Sequence, residues 1–162
     1  MELQEINVYE AIPLLKEVLN QSGFSKLIGK SSNWLHEKSI QRSPLERMVP
    51  GFTEDNVELI NYGLEKVAEA CDKHILHLPS LCQERDIYNK YVKTELKDLR
   101  KLVSFVYLRE NYTNITKSTF DKKLINAANR GAVAQFTEED IKQINFGIEK
   151  ISQLLRSLKI TL

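Results

Sequence analysis

Chemically capable residues are concentrated in two stretches of the chain. Residues 24–38 read FSKLIGKSSNWLHEK. A short helix, Gly29 at a turn, small polar residues opening a second helix and then an aromatic anchor make the outline of a helix-turn-helix. In that arrangement the first residues of the second helix enter the DNA major groove, and backbone N–H groups at its start can meet phosphate. Lys30, Ser31, Ser32 and Asn33 are then the exposed face. His36 and Lys38 return to the outside, with Arg42 beyond, while Trp34 and Leu35 turn into the core. A glycine between two short helices serves plain helical packing equally well, so both readings stay open.

The second stretch holds Cys71, His74, His77 and Cys82, spaced C-x2-H-x2-H-x4-C, four residues of types that bind zinc tetrahedrally. On a continuous helix the first three drift around the axis by roughly 60° per step of three, so only a break at Pro79 could close the site. No metal site and no cofactor are expected. No Ser-His-Asp, Cys-His or Gly-rich phosphate signature stands at usable spacing either. The acidic pairs Glu54-Asp55 and Glu138-Glu139 fall in first helical turns, where the helix dipole accounts for them. The chain therefore does not read as an enzyme, and no small-molecule substrate is evident.

The elements that must position these residues are organised by an internal repeat. Residues 52–71, FTEDNVELINYGLEKVAEAC, match residues 136–155, FTEEDIKQINFGIEKISQLL, without gaps at an offset of 84, with eight of twenty positions identical. Each copy opens on a threonine suited to capping, followed by acidic residues, and Phe52 with Val57 or Phe136 with Ile141 can staple across the cap. At the same offset Cys71 falls on Leu155 and His74 on Leu158, which reads the zinc-type residues as core-side positions. Upstream, apolar Ile12, Leu15, Val18 and Leu19 predict a helix over 8–21, interrupted or kinked at Pro13 and ended by Ser22-Gly23. Short helices are predicted over 24–28 and 32–40. Tyr88, Tyr91, Val92, Leu96, Leu99, Val103 and Val106 fit one long amphipathic helix over 81–109, joining the units. A helix near 118–126, a connection through Asn129-Arg130-Gly131 and the final helix complete the second unit. No strand is predicted. The fold class is all-α: two tandem, related, helix-turn-helix-like units, residues 1–79 and 80–162, the second including the connecting helix.

Gly29, Lys30, Ser31, Trp34, Leu35 and Lys38, followed by Phe52, Thr53 and Glu54, make the first unit resemble a family of small uncharacterised bacterial proteins with a degenerate helix-turn-helix. Its motif runs approximately GK-S-x-S-W-hydrophobic-x-x-K-L, a variable loop, then F-T-x-E-E. The second unit keeps Ser118, Phe120, Lys123, Leu124, Phe136, Thr137, Glu138 and Glu139 but lacks the turn glycine and the tryptophan. Its register over the short helix fits an offset of 85 or 86, and Ser39 stands where the motif carries leucine. The resemblance implies a fold and a DNA-binding role, with no established activity.

Charge is consistent with that implication. The chain balances 23 Lys plus Arg against 22 Asp plus Glu. Yet residues 22–51 and 111–135 each sum to +3, whereas the repeated helices sum to −4 and −2. In the second unit Lys117, Lys122, Lys123 and Arg130 supply the positive charge and are the candidate phosphate contacts. Composition sets the remaining bounds. At 162 residues, 42% hydrophobic, the chain can bury a core, and no window approaches the apolar length a bilayer demands. Two cysteines give no disulfide framework, and the first residues carry no secretory pattern, so a cytoplasmic location is expected. The partner is expected to be double-stranded DNA, contacted by a covalent pseudo-dimer in a regulatory role, or alternatively another protein docked on a helical interaction module.

Overall fold

The computed structural model describes residues 3–40, 51–79, 85–125, 128–129 and 132–162. In chain order these form β1 (Gln4–Asn7), α1 (Val8–Val18), α2 (Gln21–Leu27), α3 (Trp34–Ser39), α4 (Glu54–Lys73), α5 (Arg85–Leu99), α6 (Phe105–Tyr112), α7 (Lys117–Ile125), β2 (Ala128–Asn129), β3 (Ala132–Val133), α8 (Glu138–Ser157) and β4 (Leu158–Thr161). The chain is mostly helical, as its periodicity predicts.

The two twenty-residue helices begin at the predicted caps. The Thr53 hydroxyl accepts from the Asn56 amide, and the Thr137 hydroxyl accepts from Asp140, whose carboxylate in turn accepts from the Thr137 amide to complete a capping box. Each helix buries one face: Val57, Ile60, Leu64, Val67 and Cys71 on α4, and Ile141, Ile144, Ile148, Ile151 and Leu155 on α8. The two pack on each other and join one contiguous apolar core.

Three expectations are corrected. The helix over 81–109 is two helices, α5 and α6, separated at residues 100–104. Ser104 caps α6 by accepting from the Tyr107 amide, and Val103 leaves the helix to bridge Leu19 in antiparallel fashion. Gly23 does not end a helix but lies inside α2, while α1 runs through Pro13 and ends at Val18. Short strands are present: β1 pairs in parallel with β4 from Gln4 on Leu158 to Asn7 on Thr161, and β2 pairs with β3. Leu158 and Ile160 are buried and Lys159 is exposed, the period-two pattern of a strand with one covered face.

Many of the contacts that join the two halves occur in exchanged pairs. The Asn20 amide donates to the Leu102 carbonyl and the Ser104 amide to the Val18 carbonyl, at 2.9 and 2.8 Å. The Asn61 side chain both donates to and accepts from the backbone of Ile160, at 2.9 and 2.8 Å. Asn145 does the same with Leu76, at 2.7 and 2.8 Å. Residues 20 and 104, 18 and 102, 61 and 145, and 76 and 160 are each 84 apart.

Candidate nucleic-acid interface

The first corner is built from α2 and α3. α2 lies so close to α4 that a Cβ on Gly63 would meet Ile28 Cγ2 at 2.5 Å and Phe24 Cε2 at 2.7 Å. Its end is locked by Gly29, at φ 73°, a left-handed conformation that favours glycine. The Gly29 amide donates to Lys26 and the Lys30 amide to Ser25, at 3.1 and 2.8 Å, the paired bonds of a Schellman motif. The chain then turns into α3, with the Trp34 amide donating to the Ser31 carbonyl at 3.0 Å.

Leu35 is fully buried. Trp34 is half-buried and stands edge-on to Phe52 with centroids 6.0 Å apart, so the predicted anchors do face inward, Leu35 more than Trp34. Ser31, Asn33 and His36 are exposed and Ser32 is half-covered. Asn33 stands at the N-cap of α3 without a side-chain cap bond, leaving its amide facing solvent. Lys30 and Lys38 are more engaged. The Lys30 ammonium lies 5.8 Å from the Trp34 ring centroid, and Lys38 donates to the Gly51 carbonyl at 2.9 Å. Arg42 lies outside the described residues.

The second corner joins α6 to α7. A Cβ on Gly147 would meet Tyr112 Cβ at 2.8 Å and Leu108 Cδ1 at 3.1 Å, so α6 sits on α8 as α2 sits on α4. No glycine makes the turn. Thr113 follows α6 in extended conformation, and the Thr116 hydroxyl accepts from the Thr119 amide at 3.3 Å to open α7. Phe120 is the buried residue of α7 as Leu35 is of α3, which selects the offset of 85 over this short helix. Lys117 and Lys122 are exposed. Lys123 instead points into the fold, ion-paired with Asp140 and 5.8 Å from the Phe136 ring centroid. Around Asp140, burial raises the carboxyl pKa, but the bonds from Lys123 and Thr137 outweigh it and the net direction is downward. Arg130 lies outside the described residues.

The zinc-type residues are dispersed. Cys71 is in the core, where burial pushes its thiol up to about 12. His74 Nδ1 is 2.6 Å from Glu95, and exposed His77 stacks on Tyr91 with centroids 6.1 Å apart. Cys82 lies outside the described residues, and among those described no group of three metal-ligating side chains forms. Also among the described residues, no helix is long and apolar enough to cross a membrane.

A row of lysines on α5, Lys90, Lys93 and Lys97, is not among the residues the sequence singles out, because the apolar periodicity of residues 81–109 dominates that stretch. Their spacing of three and four on a helix was the available signal. Comparison with curated proteins and with solved structures found no match. Residues 92–162, from within α5 to the chain end after β4, match the model of a family described as a domain of unknown function, DUF5053.

Proposed function

We propose that the chain binds double-stranded DNA as a covalent pseudo-dimer of two related helix-turn-helix-like units, residues 1–79 and 80–162, in a regulatory role in the bacterial cytoplasm. The observation that carries the reading is the α2–α3 corner. It is fixed by a left-handed glycine and two backbone bonds, and it leaves Ser31, Asn33 and His36 exposed at the start of the second helix. The exchanged bonds at a spacing of 84 support the two-unit part of the reading, since duplication of one fold brings such pairs together across an approximate two-fold axis. Two such corners would address half-sites about one DNA turn apart.

Base edges would be approached by Ser31, Asn33 and His36, and phosphates by Lys30, Lys117 and Lys122. The test is fluorescence anisotropy of labelled random duplex DNA at two salt concentrations. Micromolar binding that weakens steeply with salt is expected, with a logarithmic slope reduced by about 2 in the Lys117→Ala, Lys122→Ala double variant. Absence of binding at low salt would overturn the reading.

One observation favours a protein partner instead. Tyr62 and Phe146, 84 apart, are 56% and 51% exposed, and Lys66 and Lys150 cover their rings at 5.7 and 5.3 Å. Aromatic residues kept in solvent at both places suit an interaction module. Flat anisotropy together with loss of a captured protein partner in the Tyr62→Ser, Phe146→Ser variant would favour that alternative.

A further inference from the structure

A pocket of about 450 Å³ opens beside α5, lined by Asp86, Asn89, Lys90, Lys93 and Lys97 of that helix and by Gln135 ahead of α8. At 100° per residue, positions 86, 90, 93 and 97 fall within an arc of roughly 60°, so the four charged side chains share one face. Three are cationic and one is anionic. No lysine of the three makes an ion pair among the described residues, and like charges at this spacing repel. Lys93 is the most constrained: its ammonium nitrogen is shielded from solvent and has no hydrogen-bond partner among the described residues. Burial lowers its pKa, as expected for a charge with nothing to offset its lost hydration.

The corresponding place in the first half holds a smaller pocket of about 350 Å³, lined by Tyr9, Ile12, Pro13, Lys16 and Ser39, with one lysine in place of three. Tyr9, 84 residues before Lys93, packs edge-on to Phe52 with centroids 5.5 Å apart, and its hydroxyl accepts from the Phe52 amide at 3.3 Å. Where one half lines its pocket with an aromatic ring, the other presents a shielded ammonium flanked by two more.

We propose that the α5 pocket is a phosphate-type oxyanion site, with Lys93 as its central donor and Lys90 and Lys97 as flanking charges. An oxyanion supplies the acceptors that Lys93 lacks and relieves the repulsion along the row, while buried Asn89 and half-buried Gln135 add neutral amides to the lining. The phosphate can belong to a small phosphorylated ligand or to a nucleic-acid backbone. The inference does not rest on the DNA reading.

The test is calorimetric titration of the full chain with inorganic pyrophosphate, beside duplex-DNA anisotropy on the same samples. Lys93→Met keeps the apolar stem, Lys97→Gln changes an exposed side chain, and Lys66→Gln on α4 is the control. Saturable pyrophosphate binding weakened at least tenfold by Lys93→Met and Lys97→Gln, and unchanged by Lys66→Gln, supports a small-ligand site whether or not DNA binds. Failure of pyrophosphate to bind, with DNA affinity lowered at least threefold by the same two variants alone, supports a backbone-phosphate site. Pyrophosphate binding indifferent to both variants, or no effect on either ligand, would overturn the proposal.

Discussion

Lys123 shows how a single residue changes meaning once its neighbours are known. By sequence it is one of four cations in a basic stretch, but its side chain is largely covered and its ammonium pairs with Asp140 inside the capping box of α8. Asp140→Asn should therefore cost about 2 kcal/mol in urea unfolding at neutral pH, as both a cap contact and a shielded ion pair are lost. Because the folded-state pKa of Asp140 lies below its unfolded value, its contribution is full above the unfolded pKa of about 4 and fades as pH falls through the folded one. The wild type should lose stability more steeply than Asp140→Asn as pH falls below about 4, and parallel acid curves would exclude this role. Cys71 gives a second residue-scale prediction. With its thiol buried and its pKa pushed up to about 12, a Cys82→Ser chain should react with a thiol reagent at pH 8 only as fast as it unfolds. Trp34 and Leu35 were legible because large apolar residues beside a turn declare their side of a helix. Lys30, Lys38 and Lys123 were not, since only tertiary neighbours decide whether a lysine meets solvent, a ring or a carboxylate.

At the scale of elements, the capped starts of α4 and α8 were readable because capping chemistry is local. The break between α5 and α6 was not. Apolar residues continue at helical spacing through Leu99, Val103 and Val106, yet residues 100–104 turn to meet the α1–α2 junction. Asn20 marks that junction, donating to the Arg100 carbonyl at 3.0 Å while accepting from the Gly23 amide at 3.2 Å to cap α2. Gly23 belongs to the same contact: a Cβ there would overlap the Lys101 carbonyl oxygen, so the two backbones touch. Gly23→Ala should destabilise the chain by about 3 kcal/mol or more, although alanine is the better helix former, because neither backbone can give way. A stability gain, as in an exposed helix, would show that the close approach does not persist in solution. Parallel pairing of β1 with β4 was out of reach for a different reason. The alternation in Leu158-Lys-Ile-Thr is a strand signal, but four residues directly after a helix become a strand only when a partner from the other end of the chain arrives.

For the whole molecule, the offset of 84 that the sequence displays over one helix extends to backbone bonds, close glycines and asparagine clamps. The sequence hardly reveals this reach because α1 and α5 share apolar spacing with few identities: Val8 matches Val92 and Leu15 matches Leu99, Ile12 stands opposite Leu96, and the polar positions between them differ. Asn61→Ala and Asn145→Ala should each cost about 2 kcal/mol, since either leaves a covered backbone donor and acceptor without partners. Where α4 and α8 cross, strict equivalence gives way to complementarity. Ala68 faces Ser152, whose hydroxyl reaches the Ala68 carbonyl at 3.4 Å and Asp72 at 2.7 Å, and Arg156 pairs with Asp72 at 2.7 Å. Positions 68 and 152, and 72 and 156, are again 84 apart. Two copies of either helix crossing in this way would therefore set carboxylate against carboxylate or guanidinium against guanidinium, whereas the helices present attract. The pair is only partly covered, so its worth is modest, about 0.5–1 kcal/mol. Asp72→Arg and Arg156→Asp should each destabilise by about that amount or somewhat more, as repulsion replaces attraction. The double reversal should recover most of the loss, and a double variant no more stable than the sum of the singles would show that the two charges do not meet.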